Sequence, residues 1–355
     1  MPAHMRATVL ATLFVALGAT EVVGQQPDVR PLEMARTLAS VYPRTPSMSY
    51  IPALSWRGAF RLSELTGEDR WAEAAQTEMR PVVEGGLEAI TEPYRLTSLA
   101  ALSAFSDLGD RLGDETISAL ATRAANVLSQ EPVDEILPFA TGWTDDMFMA
   151  TSLLARVAAR SGEPRFAQLV EQVLTTYAER LQREDGLFVH SVGGPFAWGR
   201  GNGFAALGLA EALTFLPETW SGRSQVLDIY RRHMAALLRH QSEDGSWRQV
   251  VDEPGSYREL TVTATTLTAI ARGIRNGWLT RREYLPPVER AWEAIQARVR
   301  EDGTVRDVCT STGAGPTLEF YLERPTVNGP DDRGGGLTLL AALEMEELLR
   351  YLENL

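Results

Sequence analysis

Apolar residues recur at three- and four-residue spacings along most of this chain, with polar residues filling the opposite face. That period belongs to amphipathic helices rather than strands. Twelve segments carry it, at 31–42, 49–66, 69–81, 94–109, 114–129, 145–161, 164–182, 202–215, 221–240, 261–276, 282–300 and 336–354. Glycine and proline cluster between them. The connections alternate in length. Thr66-Gly67-Glu68, Gly109 to Gly113, Ser161-Gly162-Glu163, Leu216 to Trp220 and Asn276 to Arg281 are short, whereas 82–93, 130–144, 183–201, 241–260 and 301–335 are long. Short turns join antiparallel helix pairs. Long loops at every second connection then gather at one end of the stack. The expected fold is all-α, an (α/α)6 barrel of six hairpins, with an open solenoid as the other arrangement of the same pattern.

A short repeat supports the pairing. Glu184-Asp185-Gly186, Glu243-Asp244-Gly245 and Glu301-Asp302-Gly303 recur about every 59 residues, each closing one helix and opening a long loop. Asp-Gly is ordinary turn chemistry, with glycine at a left-handed C′ position and a short extended piece after it.

Of the 355 residues, 44% are hydrophobic, which permits a large core. Arg6, the apolar run Ala7 to Ala19 and the small residues before Gln25 read as a secretory signal over 1–24, leaving 25–355 as a single barrel domain in a periplasmic or secreted protein. The apolar run is too short to span a bilayer. The formal net charge of −13 disfavours nucleic acid as a partner. Cys309 is the only cysteine, so no intrachain disulfide forms, and His190, His233 and His240 lack the spacing of a zinc site. A structural zinc site is not expected. P-loop, dinucleotide, Gly-x-Ser-x-Gly and His-Glu-x-x-His motifs are absent.

The chemistry-bearing residues sit on the long loops. Thr141-Gly142-Trp143-Thr144-Asp145-Asp146 delivers a tryptophan and two carboxylates to the start of a helix. Capping alone accounts for both acids; the alternative carried forward is that Asp145 does chemistry and Asp146 supports it. Loop 183–201 brings His190 and ends in Trp198-Gly199-Arg200-Gly201-Asn202-Gly203-Phe204. Its glycines permit close backbone approach to a ligand, and Arg200 can grip a carboxylate through two N–H groups. Loop 241–260 adds Trp247, Tyr257 and Glu259. Loop 301–335 adds Phe320, Tyr321, Arg324 and the Asp331-Asp332-Arg333-Gly334-Gly335-Gly336 turn. Aromatic faces for a sugar ring and an arginine for its acid group are a workable carbohydrate cleft.

In this order, Trp-x-Asp, Asp-Gly-Leu-Phe-x-His, Trp-x-Arg-Gly-Asn-Gly, Asp-Gly-x-Trp, Tyr-x-Glu and a Gly-rich turn before the last helix, the chain resembles the unsaturated uronyl hydrolases of glycoside hydrolase family 105 and, more distantly, family 88. The resemblance runs from about Leu137 to Leu349. It implies an (α/α)6 barrel and a substrate made by polysaccharide lyases: an oligosaccharide, unsaturated rhamnogalacturonan-type, whose non-reducing end is a Δ4,5-unsaturated uronic acid. It further implies vinyl-ether hydration rather than displacement at the anomeric carbon. On this resemblance Asp145 is the general acid/base, His190 lies near the alkene, Trp198 stacks, Arg200 clamps the carboxylate, and Asn202 holds the loop or a hydroxyl. Trp143 and Tyr257 are placed with the substrate-binding residues. The resemblance implies no metal or organic cofactor. Phe204 stands where the family usually has tryptophan. The family's upstream Asp is missing, and Glu92 is the nearest carboxylate to replace it. Burial against Trp143 or a second acid would raise the pKa of Asp145 towards working pH. Two other readings remain: an inverting glycosidase on an ordinary glycan, and a carbohydrate-binding protein of the same fold without activity.

Overall fold

A computed structural model describes residues 30–130 and 137–355; the expected signal and residues 131–136 lie outside the described residues. Within them are fourteen helices: α1 (Pro31–Val41), α2 (Tyr50–Thr66), α3 (Arg70–Val83), α4 (Leu96–Leu99), α5 (Leu102–Leu112), α6 (Glu115–Leu128), α7 (Asp145–Ser161), α8 (Pro164–Leu181), α9 (Gly199–Phe215), α10 (Arg223–Arg239), α11 (Leu260–Arg275), α12 (Arg281–Gln296), α13 (Leu318–Leu322) and α14 (Asp332–Glu353). Two small antiparallel pairs join them, β1 (Trp247–Arg248) with β2 (Arg258–Glu259), and β3 (Val305–Cys309) with β4 (Thr326–Gly329).

The helix ends follow local chemistry. Ser49, Asp114, Glu259 and Asp331 cap α2, α6, α11 and α14, each accepting from an N–H of the first turn. Gly67, Gly113 and Gly162 end α2, α5 and α7 in the left-handed conformation. The expected helix over 94–109 is divided between α4 and α5. Ala101, Ser103 and Ala104 there donate to carbonyls three residues back, a local 3₁₀ tightening. The Asp-Gly repeats are turns rather than helix caps. Gly186, Gly245 and Gly303 all have positive φ, but α8, α10 and α12 end several residues earlier. In each turn the aspartate accepts the N–H two residues on, from Leu187, Ser246 and Thr304.

α2, α5, α7, α9, α11 and α14 form a ring in which each packs on the next and α14 returns to α2. The ring closes, so the solenoid alternative is excluded. α3, α6, α8, α10 and α12 pack outside their ring partners, and α1 packs outside α14, so the first and last helices make the sixth hairpin. α9 is buried almost all round, as an inner helix must be. Its approach to α7 is close enough that a Cβ on Gly208 would meet the Met147 carbonyl oxygen at 2.5 Å.

The N-terminal residues of α2, α4, α7, α9 and α14 line one cavity, and later residues of α2, α5, α7, α9, α11 and α14 line another. The inner helices therefore run parallel, with their positive dipole ends gathered on one side.

Candidate active site

The cavity at that positive end has a volume of about 550 Å³, the size of a small-ligand site. Among its walls are Tyr50, Arg95, Trp143, Asp145, Asp146, Trp198, Arg200, Thr312 and Arg333. The sequence-predicted pair, Asp145 and Arg200, thus shares one hollow.

Asp145 is the first residue of α7. Its Oδ2 lies 3.4 Å from His190 Nε2, and neither atom has a hydrogen-bond partner among the described residues. His190 is fully buried, with Nδ1 2.9 Å from the Tyr321 hydroxyl. The Gly315 N–H donates to that hydroxyl at 3.3 Å, so the hydroxyl hydrogen is free to go to Nδ1. In neutral imidazole that leaves the proton on Nε2, facing Asp145. Tyr321 was one of several aromatics on its loop; its hydrogen bond to a residue 131 positions away had no local signal.

Asp146 is buried and accepts from the Thr141 and Gly142 N–H groups, both at 2.8 Å, from Thr141 Oγ1 at 3.0 Å and from Tyr177 Oη at 2.6 Å. Burial pushes its carboxyl up to about 6 against the pull of these donors, and Asp145 adds to the rise. Through these bonds Asp146 holds the turn that carries Trp143, whose ring centroid lies 5.2 Å from that of His190.

Arg200 is buried in the first turn of α9. Its Nη1 and Nη2 donate to the carbonyls of Cys309 and Thr310 at 2.8 and 3.0 Å, and it lies over the Trp198 ring. The Cys309 N–H in turn donates to buried Glu259 at 2.9 Å. Two of the five guanidinium donors fix its plane, and the rest remain for a ligand. The Trp198 indole N–H, on the cavity wall, has no partner among the described residues.

Five expected substrate contacts are not on the cavity wall. His190 is fully buried behind it, against Asp145 and Trp143. Asn202 is fully buried; it accepts from the Phe188 N–H and donates to the Phe188 and Trp198 carbonyls, so it holds the loop, not a hydroxyl. Phe204 is also fully buried, stacked on Phe148 with Tyr50 edge-on, and supports the cavity floor from beneath. Tyr257 packs behind the cavity in the apolar cluster of Trp198, Val250, Cys309 and Tyr321. Burial and the neighbouring Cys309 push its hydroxyl far up. Glu92 is exposed beside Tyr94 and is not on the cavity wall. The motif glycines serve protein packing, not ligand approach: a Cβ on Gly199 would meet the Arg248 carbonyl oxygen at 2.5 Å, and one on Gly201 the Thr144 hydroxyl at 2.4 Å. Arg333, on the Gly-rich start of α14, mirrors Arg200 on the Gly-rich start of α9; that parallel was the signal for it in the sequence.

The family model described as Glycosyl Hydrolase Family 88 matches residues 22–349. The chain belongs to this family. It is 29% identical over 217 residues to an unsaturated 3S-rhamnoglycuronyl hydrolase of Alteromonas sp. (strain LOR), an alignment covering 57% of this chain and 50% of that protein. Over 128 residues it is 34% identical to the unsaturated rhamnogalacturonyl hydrolase YesR of Bacillus subtilis (strain 168), covering 36% of this chain and 35% of that one. The chain thus spans half the length, or less, of these curated relatives. A crystal structure from Salmonella enterica serovar Paratyphi A, described as a possible member of family GH105, superposes with a TM-score of 0.80 at 17% identity, covering 96% of this chain and all of that one. The family 88 barrel and the expected likeness to family 105 therefore agree on the fold.

Proposed function

We propose that this family 88 protein removes a Δ4,5-unsaturated uronic acid from the non-reducing end of a lyase-generated oligosaccharide. The observation that carries the reading is the one available carboxyl on the cavity wall among the described residues, Asp145, set against His190 and sharing a sugar-sized cavity with a tethered guanidinium. In this reading Arg200 holds the substrate carboxylate and Trp143 or Trp198 faces the ring. Asp145 gives its proton to C4 of the vinyl ether. Water adds at C5 and returns a proton to Asp145. The hemiketal opens, the glycosidic oxygen leaves with the second sugar, and the enzyme is unchanged. An acid at the helix N-terminus then becomes a carboxylate where the dipole favours one. The names of the two curated relatives support rhamnose as the second sugar.

An inverting glycosidase needs a second carboxylate roughly 6.5–9.5 Å across the cleft. Among the described residues on the wall the other acid is Asp146, adjacent on the same helix and occupied by Thr141, Gly142 and Tyr177. That arrangement favours hydration. Incubation with a panel of lyase-derived oligosaccharides tests it: absorbance of the double bond should fall and a free second sugar appear. Turnover of saturated glycans instead, or binding with no turnover of any unsaturated one, contradicts it. We further propose export, supported by the charged start and apolar run before Gln25; a periplasmic or secreted form beginning near Gln25 by mass spectrometry is the expected result.

A further inference from the structure

The N-cap of α11 is a glutamate, although Ser, Thr, Asp and Asn are the usual caps. Capping accounts for one of its two oxygens. Glu259 Oε2 accepts the Val262 N–H at 2.7 Å, and the Thr261 hydroxyl lies 2.8 and 2.7 Å from Oε1 and Oε2. Oε1 reaches across to the end of β3 and accepts the Cys309 N–H at 2.9 Å. An aspartate here would cap as well and stop one methylene short of Cys309. Glu259 is also fully buried, a cost for a carboxylate that no cap requires.

From Cys309 the contacts lead to the cavity. Cys309 presents both backbone groups to the barrel, its N–H to Glu259 and its carbonyl to Arg200. Thr310 gives its carbonyl to the other arm of the Arg200 fork. β3 is irregular just before them: its register shifts between Val305 and Val308, and Asp307 has a positive φ. Glu259 ties this bulged strand end to α11, the inner helix that packs against the helix of Arg200. Arg200 itself is buried and hydrogen-bonds only to these two carbonyls among the described residues. Burial works against its charge, and Cys309 and Glu259 are the first of the neighbours that outweigh it.

We propose that Glu259 is a positioning residue for Arg200. Through Cys309 it fixes the two carbonyls that set the plane of the guanidinium, and so governs how tightly the substrate carboxylate is held. This rests on the hydrolase reading above, in which Arg200 grips that carboxylate. Glu259 is not on the cavity wall, so its effect falls on binding and leaves proton transfer at Asp145 alone.

Glu259→Asp keeps the charge and the cap and gives up the reach. With an unsaturated uronyl disaccharide followed by double-bond absorbance, it should raise KM about tenfold with kcat little changed, and unfold in urea near the wild-type midpoint. Glu259→Gln keeps the reach, so it should raise KM less, although it costs more stability; the opposite order counts against the proposal. The rise in Glu259→Asp should vanish for the methyl ester of the uronic acid, which offers Arg200 no carboxylate. It should vanish again in an Arg200→Gln background, because two residues that act through one contact are not additive. An unchanged KM overturns the proposal, as does a rise that persists with the ester or without Arg200, or a loss confined to kcat. If Glu259→Asp does not fold, Glu259→Asn, which also caps and also falls short of Cys309, takes its place with the same expectation. Nitrogen NMR reads the tether without a ligand. Arg200 Nη1 and Nη2 should give separate signals in wild type and one averaged signal in Glu259→Asp; like spectra in both count against the tether. If no unsaturated disaccharide is turned over, the hydrolase reading fails, and the Arg200 spectrum decides the positioning on its own.

Discussion

The two ends of this barrel are built from the same helices and treat charge in opposite ways. Asp145 and Arg156 lie eleven residues apart on α7, as do Arg200 and Glu211 on α9, about 16 Å along the axis. At the far end five arginines and four acids enclose a hollow of about 240 Å³. Arg57 and Arg272 each reach Glu211 at 3.0 Å, Arg156 also pairs with it, and Arg61, Arg272 and Arg275 converge on Glu344. Arginine there complements the negative dipole ends. Burial opposes ionisation of Glu211, but the three arginines outweigh it and hold its carboxyl well below the usual range. At the near end Asp145, Arg95 and Arg333 meet an open cavity. One end completes its ion pairs within the protein; the other leaves charges for a ligand.

The sharpest way to break this comparison is at the closed end. Glu211→Gln removes the charge shared by three buried guanidinium groups, leaving Asp107 to Arg57 and Arg156 and Glu344 to Arg272, and should cost about 3 kcal/mol in urea unfolding, while folded protein keeps its turnover. A folded Glu211→Gln protein without turnover would show that the ends are not separable. Next is pH. Asp146 holds its proton in the fold up to about 6, whereas an unfolded Asp releases it near 4. Its contribution is complete below pH 4 and lost as pH rises through 6. Glu211, with its pKa depressed, contributes above the unfolded carboxylate range and loses that contribution as pH falls. The two ends therefore oppose each other. Relative to wild type, Asp146→Asn should gain stability between pH 4 and 6 by up to about 3 kcal/mol; a flat difference would refute the assignment. Smaller still is Tyr321→Phe. Losing the hydrogen bond to His190 Nδ1 should lower kcat about tenfold with little change in KM. Nitrogen NMR of His190 should show one tautomer in wild type and two in the variant. An unchanged spectrum would remove Tyr321 from the site.

What the sequence disclosed and what it hid follow from helix geometry. The starts of α7 and α9 were legible because acids, glycines and tryptophan mark helix N-termini locally, and alternating loop lengths placed those starts on one side. Facing was not legible. Asn202 lies two residues after Arg200, about 200° round α9, and so turns to the Phe188 hairpin; Phe204, four residues on, shares the face but sits about 6 Å deeper. Glu92 follows no helical period that would aim it. Tyr321 depends on a contact between distant segments, which no local pattern reports. The closed-end network was hidden for the same reason, since its members come from six helices.

The central claim is that Asp145 donates the proton that starts the reaction, and the direct measurement is turnover by Asp145→Asn on a lyase-derived unsaturated disaccharide. Double-bond absorbance should stay constant on the timescale of wild-type consumption, with thermal unfolding and disaccharide affinity close to wild type. Consumption at the wild-type rate would contradict the account.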